Sequence, residues 1–227
     1  MTGSGTAPSA ILFDLDGTLI DTFHLYLESY RRALEPVLGF TPTVADFATR
    51  KPSSERRFLS DWIGEERAAD CHAAMCHHYA DLHSSLCEGL YDGVREMLAG
   101  LRSSGIPLGI VTGKGRKAWN VTTEHLDLGS FDVVVTDDEA EHPKPHPGGL
   151  RSAAAEMGME PSEIVYLGDS AADMEAGRAA GMHIGAALWP KTAPGEAEDF
   201  MEQISKLRPD WAFERPGEVV RVFARWC

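Results

Sequence analysis

The chain has 227 residues, 43% of them apolar and 25% charged, which is enough to bury a full core with room for a smaller second unit and excludes a disordered, collagenous or membrane-spanning chain. With 21 Lys and Arg against 35 Asp and Glu the formal charge is −14, a field that opposes binding to nucleic acid or to an anionic membrane and admits small phosphorylated molecules where cations are focused locally. Cys71, Cys76, Cys87 and Cys227 form no CxxC pair, and residues 1–9 carry neither a basic nor a long apolar stretch, so the sequence predicts reduced thiols in an unprocessed cytoplasmic protein.

Short, nearly continuous apolar runs at 11–13, 108–111, 133–135, 164–167 and 184–187 suit strands buried on both faces. Helix-like stretches at 94–103, 117–126, 150–157 and 173–180 alternate with them, which predicts an α/β fold built on a parallel sheet. Between about 22 and 90 the alternation stops, and helical patterns at 25–34, 55–63 and 65–86 predict an all-helical insertion. The expected division is therefore a core of residues 1–20 and 89–227 and a cap of residues 21–88, with linkers at Ile20-Asp21 and Glu88-Gly89. The closing segment predicts a helix at 197–207 and an edge strand at 211–213.

In an open parallel sheet ligands bind beyond the carboxyl ends of the strands. The first run ends in Asp14-Leu15-Asp16-Gly17-Thr18, two carboxylates expected on one side of an extended chain with Gly17 turning it away. The second ends in Thr112-Gly113-Lys114-Gly115, a hydroxyl beside amides that can cradle phosphate oxygens. The fourth ends in Gly168-Asp169, with Asp173 one helical turn on. Carboxylates gathered at one crevice call for a cation, and an all-oxygen set selects a hard ion such as Mg²⁺. Lys144 lies among three alternating prolines, 143, 145 and 147, which are expected to hold an extended frame that aims it.

The segment Phe13-Asp14-Leu15-Asp16-Gly17-Thr18-Leu19, with Thr112, Lys144-Pro145 and Gly168-Asp169 to Asp173, resembles the four ordered motifs of the haloacid dehalogenase superfamily of phosphohydrolases. The stretch 168–181 and the helical insertion look most like its phosphoglycolate phosphatase-like branch, which also holds pyrophosphatases and β-phosphoglucomutase. The resemblance implies a Rossmann-like core under an inserted helical cap and a Mg²⁺-dependent phosphomonoester hydrolase acting through an aspartyl-phosphate. Asp14 is then the nucleophile, Asp16 the acid and base, and Thr112, Gly113 and Lys144 bind the phosphoryl group. Asp14, Asp16 (through its carbonyl), Asp169 and Asp173 serve the metal. An acid at Asp16 disfavours dehalogenation, whose halide leaving group needs no proton. A phosphosugar mutase and a catalytically idle phospho-ligand sensor are the alternatives.

Arg50 and Lys51 stand where that branch carries a small and an apolar residue. They either face the site and bind a carboxylate or second phosphate, or solvate a helix entry capped by Ser53 or Ser54. The Cys71, His72, Cys76, His77, His78, His83 and Cys87 group pairs His72 with Cys76 and His83 with Cys87 on helix faces. No CxxC or HExxH pattern accompanies it, so these side chains read as cap packing. Phe58, Leu59 and Trp62 read as cap core, and Trp119 as packing its helix on the sheet. The chain is expected to act as a monomer or homodimer.

Overall fold

The computed structural model describes residues 8–50 and 54–224. Its frame is a six-stranded, all-parallel sheet of β1 (Ala10–Phe13), β4 (Leu108–Val111), β5 (Val133–Val135), β6 (Ile164–Gly168), β7 (His183–Ala187) and β8 (Trp211–Phe213), in the order β5-β4-β1-β6-β7-β8. Apolar side chains alternate across β1, because successive residues of a strand point to opposite faces. Ile11 and Phe13 pack against α5 (Val94–Ser103) and α10 (Pro216–Phe223) through Met97, Leu101 and Phe223. Ala10 and Leu12 meet α7 (Gly148–Glu156) and α8 (Ala171–Ala180) through Ala153 and Ala176. Helices on both faces explain why the strands read as unbroken apolar runs.

β1 lies between β4 and β6, with Phe13 level with Ile110 and Leu167. The order of the strands, not proximity in sequence, therefore brings the segments after Phe13, Val111 and Gly168 to one edge. Gly109 of β4 is required by packing, since a Cβ there would overlap Val133 Cγ1 and Leu12 Cδ2. Gly109→Ala is expected to destabilise the protein by about 1–3 kcal/mol, read as a lower urea midpoint with an unchanged slope; an unchanged midpoint would contradict this packing.

The insertion carries α1 (Phe23–Leu38), α2 (Val44–Ala48), α3 (Glu55–Ile63) and α4 (Glu65–Leu86). These helices bury a cluster of their own, in which Leu25, Leu34, Leu59, Met75 and Tyr79 have no exposed surface. Tyr30, Phe47, Phe58 and Trp62 form an aromatic group beside it. α4 leans on α6 (Arg116–His125), where Tyr79 Oη lies 2.9 Å from Thr122 Oγ1.

Three expectations are corrected. The crossings at Ile20-Asp21 and Glu88-Gly89 are ordered as strands, β2 (Ile20–Asp21) and β3 (Gly89–Leu90), paired antiparallel. Two residues are too few to leave a periodic signal. α10 escaped notice because Pro216-Gly217 reads as a breaker, although proline suits the first turn of a helix. The proline frame is not extended: the Lys144–Pro145 peptide is cis and the His146 N–H donates to Pro143 O at 3.0 Å, so the chain turns at Lys144. Trp119 packs in the sheet core as expected. Among the described residues no helix is long and apolar enough to cross a membrane.

Candidate active site

Asp14 follows the last residue of β1 and is 7% exposed. Its Oδ1 accepts a hydrogen bond from Lys144 Nζ at 2.8 Å. The same ammonium donates to Asp173 Oδ1 at 2.6 Å and to Tyr166 Oη at 3.0 Å. Asp173 is aimed by local sequence: Ser170 and Asp173 form a capping box at the start of α8. The Ser170 N–H and hydroxyl hold Asp173 Oδ2 at 3.0 and 2.5 Å, leaving Oδ1 for Lys144.

Asp169 follows β6. Its Oδ1 accepts from Thr18 Oγ1 at 3.1 Å and its Oδ2 from Lys191 Nζ at 2.7 Å. Gly17, at φ 80°, passes over this carboxylate so closely that a Cβ would lie 2.9 Å from both oxygens. The Trp189 indole donates to Thr18 O at 2.9 Å and pins the loop that carries Lys191. Asp14, Asp169 and Asp173 each offer an oxygen within 4.8 Å of the others.

The electrostatics follow from this crowding. Burial raises the proton affinity of Asp14, and Asp173 and Asp169 add to it against the opposing pull of Lys144. Burial also pushes Asp169 up to about 6, although Lys191 acts against it. Asp173 is held below its ordinary value: burial works the other way, but Lys144 and Ser170 prevail. Three clustered carboxylates, two of them with raised proton affinity and all with oxygen donors only, suit a hard divalent cation.

Thr112 directly follows β4, is buried, and its Oγ1 accepts the Lys114 N–H at 3.1 Å. Gly113 lies against the cap, with Ser54 Cα 3.9 Å from where its Cβ would be. Asp16 differs from the expectation of two carboxylates opening on one side. Its Oδ1 accepts from Thr22 Oγ1 at 2.6 Å and faces Lys114 Nζ at 3.0 Å, apart from the three-carboxylate group. Strand pairing of β1 ends at Phe13, and Asp16 sits instead in a bridge to Ile20 across the Gly17 turn, with Leu15 fully buried.

Sequence reasoning missed Lys114 as a functional side chain. Its ammonium has no exposed surface and donates to Tyr26 Oη at 2.9 Å and Tyr79 Oη at 2.7 Å, 4.4 Å from the centre of each ring. Burial opposes the charge, but Asp16, Tyr79 and Glu55 together outweigh it and keep this lysine protonated well above the usual range. Its place directly after a strand tip was the available signal. Lys191 was missed for want of any motif around it.

Arg50 lies with its guanidinium 4.1 Å from the centre of the Trp62 ring, in the cap aromatic group, and its buried Nε has no hydrogen-bond partner. Lys51 and Ser53 fall outside the described residues. Arg56 and Arg57 pair on the surface with Glu65 and Asp61 at 3.0 and 3.1 Å, so each charge is offset by its own acidic partner. Of the Cys/His group, Cys71 donates to Ala33 O at 3.3 Å and burial lowers His83 to about 4.

The family model for haloacid dehalogenase-like hydrolases matches residues 11–187. The pyrophosphatase PpaX of Bacillus velezensis is 33% identical over 217 residues, 94% of this chain and 95% of the relative. A structure from Lactobacillus plantarum assigned as a phosphoglycolate phosphatase superposes with a TM-score of 0.81 at 22% identity, over 96% of this chain and all of that one. CbbY from Rhodobacter sphaeroides, solved in complex with phosphate, gives a TM-score of 0.76 at 21% identity over 93% and 96% of the two chains. With the strand-tip carboxylates, the buried lysine and this match over most of its length, the chain belongs to the haloacid dehalogenase superfamily of hydrolases, as one of its phosphohydrolases.

Proposed function

We propose that this protein is a Mg²⁺-dependent phosphatase that hydrolyses a small phosphorylated metabolite through an aspartyl-phosphate on Asp14, with inorganic pyrophosphate the first substrate to test. The observation that carries the proposal is the Asp14 carboxylate held by Lys144 at 2.8 Å beside Asp169 and Asp173. The pyrophosphatase relatives, similar over nearly the whole chain, favour the choice of substrate.

Asp14 attacks phosphorus, forming a P–O bond as the bond to the leaving oxygen breaks, which splits one hard displacement into two easier ones. Asp16 gives its proton to the leaving oxygen and takes one back from the water that cleaves the intermediate. Lys144, the Thr112 hydroxyl and the Gly113 N–H hold the transferring phosphoryl oxygens, since positioning and charge stabilisation supply most of the catalysis of this transfer. Asp14, Asp169 and the Asp16 carbonyl would hold Mg²⁺, with Asp173 orienting its shell and Lys144. The metal, when bound, neutralises phosphoryl charge and keeps the nucleophile ionised. Residues 21–88 act as the cap over a core of 1–20 and 89–227, excluding water and reading the leaving group. Cysteines spaced without a disulfide framework favour a cytoplasmic place for this chemistry.

The test is phosphate release from pyrophosphate, phosphoglycolate, sugar phosphates, nucleotides and an aryl phosphate, with Mg²⁺ or with chelator. Turnover of one of them, lost on chelation, supports the proposal. Isomerisation of a sugar phosphate without net release would replace it with the mutase reading, and silence on every compound would count against an enzyme of this class.

The metal proposal also predicts a pH signature in stability. Asp14 and Asp169 bind protons more tightly folded than unfolded, so they stabilise the metal-free fold fully below their ordinary value of 3.8 and cease to do so as pH rises through about 6 and beyond. In chelator the melting temperature should therefore fall between about pH 5 and pH 8, through this contribution. Mg²⁺ at roughly 100 times its Kd adds about 2.7 kcal/mol, a rise of roughly 5–10 °C for a chain of this size. That rise should be larger at the alkaline end. A Mg²⁺ effect independent of pH would count against these carboxylates as its ligands.

A further inference from the structure

A second group of ligand atoms lies where α3 and α4 meet the core, and the phosphatase mechanism makes no use of it. Glu55 opens α3, while His72 and Cys76 stand one turn apart on α4. Their carboxylate oxygen, imidazole nitrogen and sulfur all fall within 4.8 Å of one another. Glu55 Oε2 is 2.9 Å from His72 Nε2, and Nε2 is 3.6 Å from Cys76 Sγ. We propose that Glu55, His72 and Cys76 form a Zn²⁺ site, separate from the carboxylate group at the strand tips.

Ligand chemistry separates the two sites. One thiolate, one imidazole and one carboxylate make a borderline-soft set that takes Zn²⁺ in preference to Mg²⁺, whereas Asp14, Asp169 and Asp173 offer oxygen alone. The geometry avoids the weakness of a ladder on one helix: His72 and Cys76 supply an i,i+4 pair and Glu55 closes on them from a second helix. Glu55 is 3% exposed and the His72 side chain 20% exposed, so the ligands are largely desolvated yet an ion has a way in.

The carboxylate is oriented from behind, as ligands in built metal sites are. Tyr26 Oη donates to Glu55 Oε1 at 2.5 Å, and Lys114 Nζ donates in turn to Tyr26 Oη, which leaves Oε2 for the metal. On the core side, Gly115 leaves the space: a Cβ there would lie 2.8 Å from Glu55 Oε2. Asp137, which accepts from the Ser54 hydroxyl and is influenced by both Glu55 and His72, is pushed up to about 6, mainly by burial. The fourth position falls to water or to a carboxylate of the Asp137-Asp138 turn, whose Asp138 Oδ2 lies 3.3 Å from the Gly115 Cβ position that Glu55 Oε2 also approaches. Binding releases the proton that His72 shares with its neighbours and the Cys76 thiol proton to the buffer, with no change of oxidation state. A metal here would tie α3 to α4 just below Ser54, the part of the cap that meets Gly113.

The experiment titrates the full-length protein with Co²⁺, the visible surrogate for Zn²⁺, in excess Mg²⁺ to keep the strand-tip carboxylates filled. The expected result is one Co²⁺ per chain with a thiolate-to-cobalt charge-transfer band and tetrahedral d–d absorption, both displaced by Zn²⁺. Cys76→Ser should lose the charge-transfer band, His72→Gln should lose tight binding, and Tyr26→Phe should weaken binding by about 10-fold. Circular dichroism checks that each variant is folded, and the two ligand variants are independent, so failure of one to fold leaves the other as the test. Absence of a charge-transfer band, or a band that survives Cys76→Ser, would overturn the proposal.

Discussion

Asp14→Asn is expected to lower phosphate release by on the order of 10⁴–10⁶-fold, the loss seen when a hydrolase keeps its binding site but not its nucleophile. Asparagine fills the same space and can still accept the Lys144 hydrogen bond, so Lys144, Thr112 and Gly113, the groups proposed to bind the phosphoryl oxygens, stay in place. The charge is what disappears. Asp14 is crowded by Asp169 and Asp173 within 4.8 Å, so removing one of three clustered carboxylates relieves repulsion and the metal-free variant should melt no lower than the parent. That combination, catalysis gone and stability kept, separates loss of a nucleophile from loss of a fold. Acid quench of the parent during turnover should trap a phosphoryl group on the peptide containing Asp14, and the variant should trap none. Activity within about tenfold of the parent would mean that water or another side chain attacks phosphorus.

The sequence made the frame of this site legible, because strand tips are predictable places. Buried parallel strands read as apolar runs, and Asp14, Thr112 and Asp169 each directly follow one. They converge because β1 lies between β4 and β6, and the resemblance to known motifs needed only that order. Side-chain partnerships across long sequence separations were not legible. Glu55 meets His72 from another helix, Lys191 reaches Asp169 from a loop, and Lys114 crosses to Tyr26 and Tyr79 of the cap. Each depends on how the insertion packs on the core, and no local spacing encodes that packing. The same limit explains Asp16. The rule that residues two apart share a side holds within a paired strand, and Asp16 lies past the end of β1, bridged to Ile20.

The pairing of Asp16 with Lys114 makes the second large prediction, one in which stability and activity part company. The Lys114 side chain has no exposed surface, and Asp16 is the carboxylate within ion-pair distance of it, at 3.0 Å. Tyr26 and Tyr79 give it oxygen atoms but no formal charge. Asp16→Asn therefore leaves an ammonium buried without its counter-charge, a change that costs about 3–5 kcal/mol when both partners are fully buried. Asp16 is 22% exposed, so the lower end, about 3 kcal/mol, is expected, or roughly 6–12 °C in melting temperature for a chain of this size. Lys114→Met costs less, because the thioether fills the slot beneath the two rings while Asp16 keeps Thr22 and solvent. In the double variant no charge is stranded, so most of the stability lost in Asp16→Asn should return. Activity should not return with it, since a missing acid and base costs about 10²–10⁴-fold whatever stands at position 114. Lys114→Met alone should slow turnover by up to about 10²-fold, the scale of a misplaced catalytic group. Melting curves and phosphate release on the parent and the three variants decide the matter. If the two substitutions destabilise additively, Lys114 is not held by Asp16 and its burial must be explained by the tyrosines. If the double variant recovers activity along with stability, Asp16 is a partner for Lys114 and not the group that moves the proton.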